Sequence, residues 1–159
     1  MEKGIHSISI PVGKSTRTCT SLLCHDQNTM TELIEPSSLI SSLELSALES
    51  HSLNLLQSNP DIRFIALCGT LPPGVNGSIY SLMCNHKPKG CWIFLDAVKE
   101  VECLDTGKVD ILKVNAEEAC CLAQIPWDDT LVVDLVQVGK VLLAKYDLTV
   151  LAITNGPDT

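Results

Sequence analysis

Residues 110–118, DILKVNAEE, decide how the rest of this chain is read. Asp110, Leu112 and Val114 alternate with Ile111, Lys113 and Asn115, and the apolar neighbours on either side of Lys113 suit a buried parallel strand. The period then changes. Ala116, Ala119, Cys120 and Ala123 fall at i, i+3, i+4 and i+7, the spacing of one helix face. Asn115 stands at the change, where its short polar side chain suits an N-cap, and Glu118 is placed to reach back to the cap backbone. The stretch therefore predicts a strand that passes directly into a helix, with a lysine and an asparagine on one side of the strand end. Ligands of open α/β sheets bind at that end of the strands, and a helix N-terminus there favours phosphate. Asn-x-x-Glu caps a helix with or without a ligand. A lysine on a strand of buried character, by contrast, needs a reason to be there and favours a functional role.

Upstream, CWIFLDA (91–97) reads as another buried strand, joined to Asp110 by a short helix or irregular connector. RFIALCG (63–69) is a further one, followed by the stiff turn Thr70-Leu71-Pro72-Pro73-Gly74 and a helix from Gly77 to about His86. Before it, Ser41 and Glu44 form a capping box opening a helix with Leu45, Leu48, Leu55 and Leu56 on its apolar side, stopped by Asn59-Pro60. Downstream, Pro126 marks a break, and Asp128 and Asp129 open a longer helix carrying the stripe Leu131, Leu135, Val138, Leu142. Residues 148–154 form the last strand, and Asn155-Gly156-Pro157 a turn. Alternating strands and helices from Arg63 to Thr154 predict a parallel sheet flanked by helices in three layers.

The N-terminal part reads differently. Residues 5–12 alternate loosely as a strand, 18–24 form a second that makes a hairpin with it, and 31–35 a third extended piece stopped by Pro36. Gly13-Lys14-Ser15-Thr16 is a turn and not a phosphate loop, because Ile8 stands where the loop needs glycine and no helix follows. The chain thus divides into a β-lid segment, 1–36, and an α/β domain, 37–159.

Composition narrows the function. With 159 residues, 45% of them apolar and 19% charged, the chain is globular; only 4% are aromatic, so aliphatic side chains build the core. A net charge of −8 without a basic stripe argues against a nucleic-acid partner, and no run is long enough to span a membrane. The eight cysteines form no Cys-x-x-Cys pair and most sit in apolar runs, Cys68 among them as a core thiol. That pattern predicts buried reduced thiols in an intracellular, cytoplasmic protein, with an organelle left open.

Four stretches, in order, resemble the phosphofructokinase-B (ribokinase-like) carbohydrate kinases, and within them the 1-phosphofructokinase and tagatose-6-phosphate kinase branch. They are TRTCTSLL (16–23) with TELIEP (31–36), ALCGTLPPGV (66–75), ILKVNAEE (111–118) and LAITNGPD (151–158). The resemblance implies a ribokinase-like fold, here incomplete, bearing a small β lid. It implies transfer of the ATP γ-phosphoryl group to a hydroxyl of a sugar phosphate, with Mg2+.

Carried over by position, Lys113 would meet nucleotide phosphate, Asn115 and Glu118 would hold magnesium largely through water, and Thr154 and Gly156 would begin the nucleotide-binding edge. Gly69 and Thr70 match the loop beside the sugar phosphate, with threonine for the usual serine. Arg17 matches the lid arginine facing the substrate, and the lid would pair two copies into a homodimer. The Gly-Ala-Gly-Asp segment that supplies the family's catalytic base does not occur in these residues. The expectation is therefore a chain inactive by itself; the alternative is a non-catalytic nucleotide-binding or dimerising remnant. A different dinucleotide binder is disfavoured, since no Gly-x-Gly-x-x-Gly follows any strand.

Overall fold

The computed structural model describes residues 4, 7–97, 99, 101–127 and 133–156. The chain divides into two compact units, Met1–Leu48 with Pro72–Val75, and Glu49–Leu71 with Asn76–Thr159.

In the first unit, β1 (Cys19–Cys24) and β2 (Thr29–Ile34) form an antiparallel hairpin in register from Cys19 opposite Ile34 to Cys24 opposite Thr29. Its open end is closed by the Glu35 N–H donating to the Thr18 carbonyl at 3.1 Å and the Thr18 N–H donating to Glu35 Oε2 at 2.8 Å. The hairpin differs from the sequence expectation. Its partners are the second and third extended segments, because the four-residue turn 25–28 brings those neighbours together. Residues 7–12 form no strand, and Ile5 lies outside the described residues. Both strands are exposed along their whole length, and Leu22, Leu23, Met30, Leu33 and Ile34 each keep more than half of their surface.

Helix α1 (Ser42–Ser58) opens on the expected capping box. The Ser41 N–H and hydroxyl both donate to Glu44 Oε2 at 2.7 Å, and the Glu44 N–H donates to Ser41 Oγ at 3.3 Å. Of its four leucines read as the apolar side, Leu56 is buried, while Leu48 and Leu55 remain more than a third exposed.

The second unit carries a four-stranded parallel sheet in the spatial order β3 (Phe64–Cys68), β4 (Trp92–Asp96), β5 (Ile111–Asn115), β6 (Val150–Thr154). The crossovers hold α2 (Ser78–Asn85), a 3-10 helix (Glu102–Thr106), α3 (Ala116–Ala123) and α4 (Leu135–Tyr146). Strand alternation turns Ile65, Leu67, Ile93, Leu95, Leu112 and Val114 inward, where all are buried. α3 and α4 pack on the β5–β6 side, with Gly139 of α4 lying over Leu151 and Ile153. α2 packs with the 3-10 helix, where the buried thiols of Cys84 and Cys103 hydrogen-bond to each other. That contact draws Cys84 below the usual thiol range and pushes Cys103 above it.

The opposite sheet face is open at β3, where Phe64, Ala66 and Cys68 are exposed, and at Trp92; Phe64 and Phe94 stack across it with ring centroids 6.3 Å apart. This corrects the reading of Cys68 as a core thiol: its position in the alternation puts it on the uncovered face. Cys84, Cys91, Cys103 and Cys120 are buried as expected, whereas Cys19, Cys24 and Cys121 are also exposed; all eight are free thiols.

Asp134 caps α4, accepting from the N–H groups of Val136 and Gln137 at 3.1 Å. The helix therefore opens at Asp134 and not, as expected, at Asp128 and Asp129, because the Asp134 carboxylate satisfies its first free N–H groups; Asp128, Asp129 and Leu131 lie outside the described residues. Among the described residues no helix is long and apolar enough to cross a membrane.

Candidate functional site

At the C-terminal ends of β3, β4 and β5 the second unit gathers polar and charged side chains. In β5, Leu112 and Val114 point into the core, so Lys113 must point to the other face. Its ammonium lies 3.3 Å from Asp96 Oδ1, at the last residue of β4, and the two side chains are 38% and 40% exposed. Two residues on, Asn115 has extended backbone and caps α3. Its Oδ1 accepts the Glu118 N–H at 2.8 Å, while Glu118 Oε2 accepts the Asn115 N–H at 2.7 Å. The capping box read from the sequence is therefore closed in both directions. The glutamate charge is held at the positive end of the helix.

After β3 the chain turns at Gly69, whose φ of 97° lies in the region side chains avoid. The Gly69 N–H donates to the Asp96 carbonyl at 3.1 Å and its carbonyl accepts the Tyr80 hydroxyl at 3.2 Å. Burial, with a smaller contribution from the thiols of Cys103 and Cys68, raises Tyr80 above the usual phenol range and keeps it a donor. This ties the Gly69 turn to both β4 and α2.

The three strand ends enclose a cavity of about 420 Å³ lined by the Gly69-Thr70-Leu71 turn, Asp96, Ala97, Lys99 and Glu118. Of the residues singled out from the sequence, Gly69, Thr70 and Glu118 line it directly. Lys113 is joined to it through Asp96, and Asn115 through Glu118. Thr154 sits opposite Asn115 in the β5–β6 register, and Gly156 follows in a turn with φ of 66°. Arg17 belongs to the first unit, two residues before β1.

Asp96 and Lys99 were not anticipated. An aspartate closing an apolar strand carries the same signal as Lys113, a charge at the C-terminal end of a buried run, and could have been read so. Lys99 lies in a connector without period and gives no such signal.

The described residues hold no group of three or more His, Cys, Asp or Glu side chains that could cage a metal ion. The site instead offers one amide and one carboxylate a helical turn apart. That donor set fits magnesium, which keeps several waters and takes the rest of its ligands from phosphates.

No family model matches the sequence, and no curated protein matches it. Solved structures do. The tetrameric inhibited form of phosphofructokinase-2 from Escherichia coli superposes with a TM-score of 0.72 at 18% identity, over 93% of this chain and 48% of that one. This chain has the fold of part of that phosphofructokinase. The same Escherichia coli enzyme in complex with fructose-6-phosphate gives 0.65 at 16% identity, over 87% of this chain and 45% of that one. A possible 1-phosphofructokinase from Thermotoga maritima gives 0.59 at 18% identity, over 83% and 41%. This chain spans less than half the length of each. The expected α/β class, a parallel sheet with helices and a small separate β-hairpin, is the one observed.

Proposed function

We propose that this chain is the phosphate-positioning part of a phosphofructokinase-B-type sugar-phosphate kinase, binding ATP with Mg2+ and a phosphosugar. One observation carries the reading: the Gly69-Thr70 turn, the Asp96–Lys113 pair and the capped start of α3 converge on one cavity at the C-terminal ends of neighbouring parallel strands. Lys113 supplies an ammonium for nucleotide phosphate, and the residues of the β6 exit, Thr154 and Gly156, border the nucleotide. Gly69 and Thr70 offer a backbone without side-chain bulk and a hydroxyl to the sugar phosphate. Arg17 keeps the role the resemblance gives it, a forked donor for a substrate phosphate. Magnesium, held through water by Asn115 and Glu118, supplies charge neutralisation on the transferring phosphoryl group.

Phosphoryl transfer rests on positioning and charge, and these residues do that much. A proton acceptor for the sugar hydroxyl is a different matter. Both carboxylates lining the cavity are engaged, Asp96 by Lys113 and Glu118 by the α3 cap. The 159-residue polypeptide is therefore expected to bind nucleotide without turning it over. Equilibrium dialysis with magnesium-ATP tests this: the folded chain retains nucleotide and the Lys113→Ala chain does not. A folded chain that retains none refutes the reading. ADP release with fructose 1-phosphate or tagatose 6-phosphate refutes the inactivity.

A second reading, a dimerising module without catalysis, is favoured by the hairpin of the first unit, whose apolar residues lie uncovered on both strands. Light scattering separates the two. A dimer broken by Leu23→Lys, with no nucleotide bound, supports the module.

A further inference from the structure

We propose that Lys99 is a phosphate-binding residue of this cavity, adding a second positive charge to that of Lys113, which is shared with Asp96. The proposal rests on the reading of the cavity as a site for phosphate-bearing ligands. Four ionisable side chains meet at the strand ends: Asp96, Lys99, Lys113 and Glu118. Lys113 is balanced by Asp96 at 3.3 Å. Glu118 then leaves the cavity with an excess negative charge, which repels a phosphate. Lys99 cancels that excess. It lines the same cavity, its side chain is exposed, and it forms no ion pair among the described residues.

The local chain explains how it gets there. Asp96 ends β4, and the chain leaves the sheet through Ala97, which is buried and anchors the connector. Lys99 follows two residues later, exposed and lining the cavity. An ammonium on a flexible stem, lining the same cavity as the Gly69 turn, can reach a phosphate without moving the sheet. Such a group adds an interaction made only when the anion is present, so its loss weakens binding and leaves the fold alone.

The ligand class is a phosphate ester, with two sources: a nucleotide polyphosphate or a sugar phosphate. Calorimetric titration of the full chain with magnesium-ATP and, separately, with fructose 1-phosphate distinguishes them. Lys99→Ala is expected to weaken at least one of the two by about tenfold, the loss of one charged hydrogen bond. Lys99→Arg is expected to restore most of it, and the salt dependence of that ligand's affinity to flatten in the alanine variant. Lys89→Ala, an exposed lysine at the far end of β4, is the control and should bind as the unaltered chain does. If the chain binds either ligand, Lys113→Ala weakens that binding by about tenfold or more, and Lys99→Ala binds as well as the parent with the same salt dependence, the proposal is overturned while the site stands. If the folded parent binds neither, both are overturned.

Discussion

The Lys113 ammonium lies 3.3 Å from Asp96 Oδ1, joining the end of β4 to the middle of β5 across seventeen residues of sequence. Both side chains are more than a third exposed, so the pair contributes under about 1 kcal/mol to stability. Its function and its structural contribution should therefore separate. Lys113→Ala and Asp96→Ala are each expected to shift the urea midpoint little. Lys113→Ala should nonetheless weaken magnesium-ATP by about tenfold or more. A loss of several kcal/mol of stability in either variant would mean that the pair is structural and the assignment misplaced.

Asn115 and Glu118 serve the helix and, by proposal, the metal, and substitution can divide these duties. Asn115→Ala removes the oxygen that accepts the Glu118 N–H and should destabilise the chain by about 1 kcal/mol. Glu118→Gln keeps an acceptor for the Asn115 N–H, because glutamine serves in a capping box, and should leave the melting temperature nearly unchanged. The same change should reduce the magnesium dependence of ATP binding. If Glu118→Gln binds magnesium-ATP with unaltered metal dependence, the carboxylate has only its capping role.

At the opposite end of the sheet, Asp110 holds three elements. Its Oδ2 accepts the Lys87 ammonium at 2.8 Å and the Ile93 N–H at 2.7 Å, and its carbonyl accepts from Thr149 and Val150. Asp110→Ala strands the half-buried lysine and a strand amide together, and is expected to cost about 2–4 kcal/mol. Urea unfolding measures it, and a shift below about 0.5 kcal/mol would show that water replaces the carboxylate at no cost.

Glu44 gives a pH dependence. Hydrogen bonds from the Ser41 hydroxyl and backbone, and then from the Gly13 N–H, hold its carboxyl below the ordinary 4.5. A carboxyl depressed in the folded state adds stability that is fully present above the unfolded value. That stability is lost as pH falls through the lower, folded one. The start of α1 should therefore stay ordered at pH 4.5 and loosen only on further acidification, and Glu44→Gln should remove the dependence. Following the Ser41 and Gly13 amide resonances against pH checks it; a midpoint at or above 4.5 would contradict the bonding described.

Much of the fold was legible because its cues are local. The switch from period two to helical spacing at Asn115, the Ser41 and Asn115 capping boxes and the breaks at Pro60 and Pro88 each act within a few residues. The hairpin partner differs from the expectation, since residues 5–12 and 31–35 both read as extended and only the short turn at 25–28 makes one of them the neighbour of β1. Cys68 was misread for a related reason: an apolar run signals a buried strand without saying which face is covered.

The sequence alone determined most strands and helices of the second unit, their order and the capped start of α3, because propensity, spacing and side-chain-to-backbone bonds operate over one or two turns of chain. Tertiary structure decided that Asp96 meets Lys113, that Lys99 and Glu118 share a cavity, and that one sheet face at β3 is open. Those are contacts between residues far apart in the chain. They exist only after the parallel register of β3 to β6 is formed, and no local pattern encodes that register's partners.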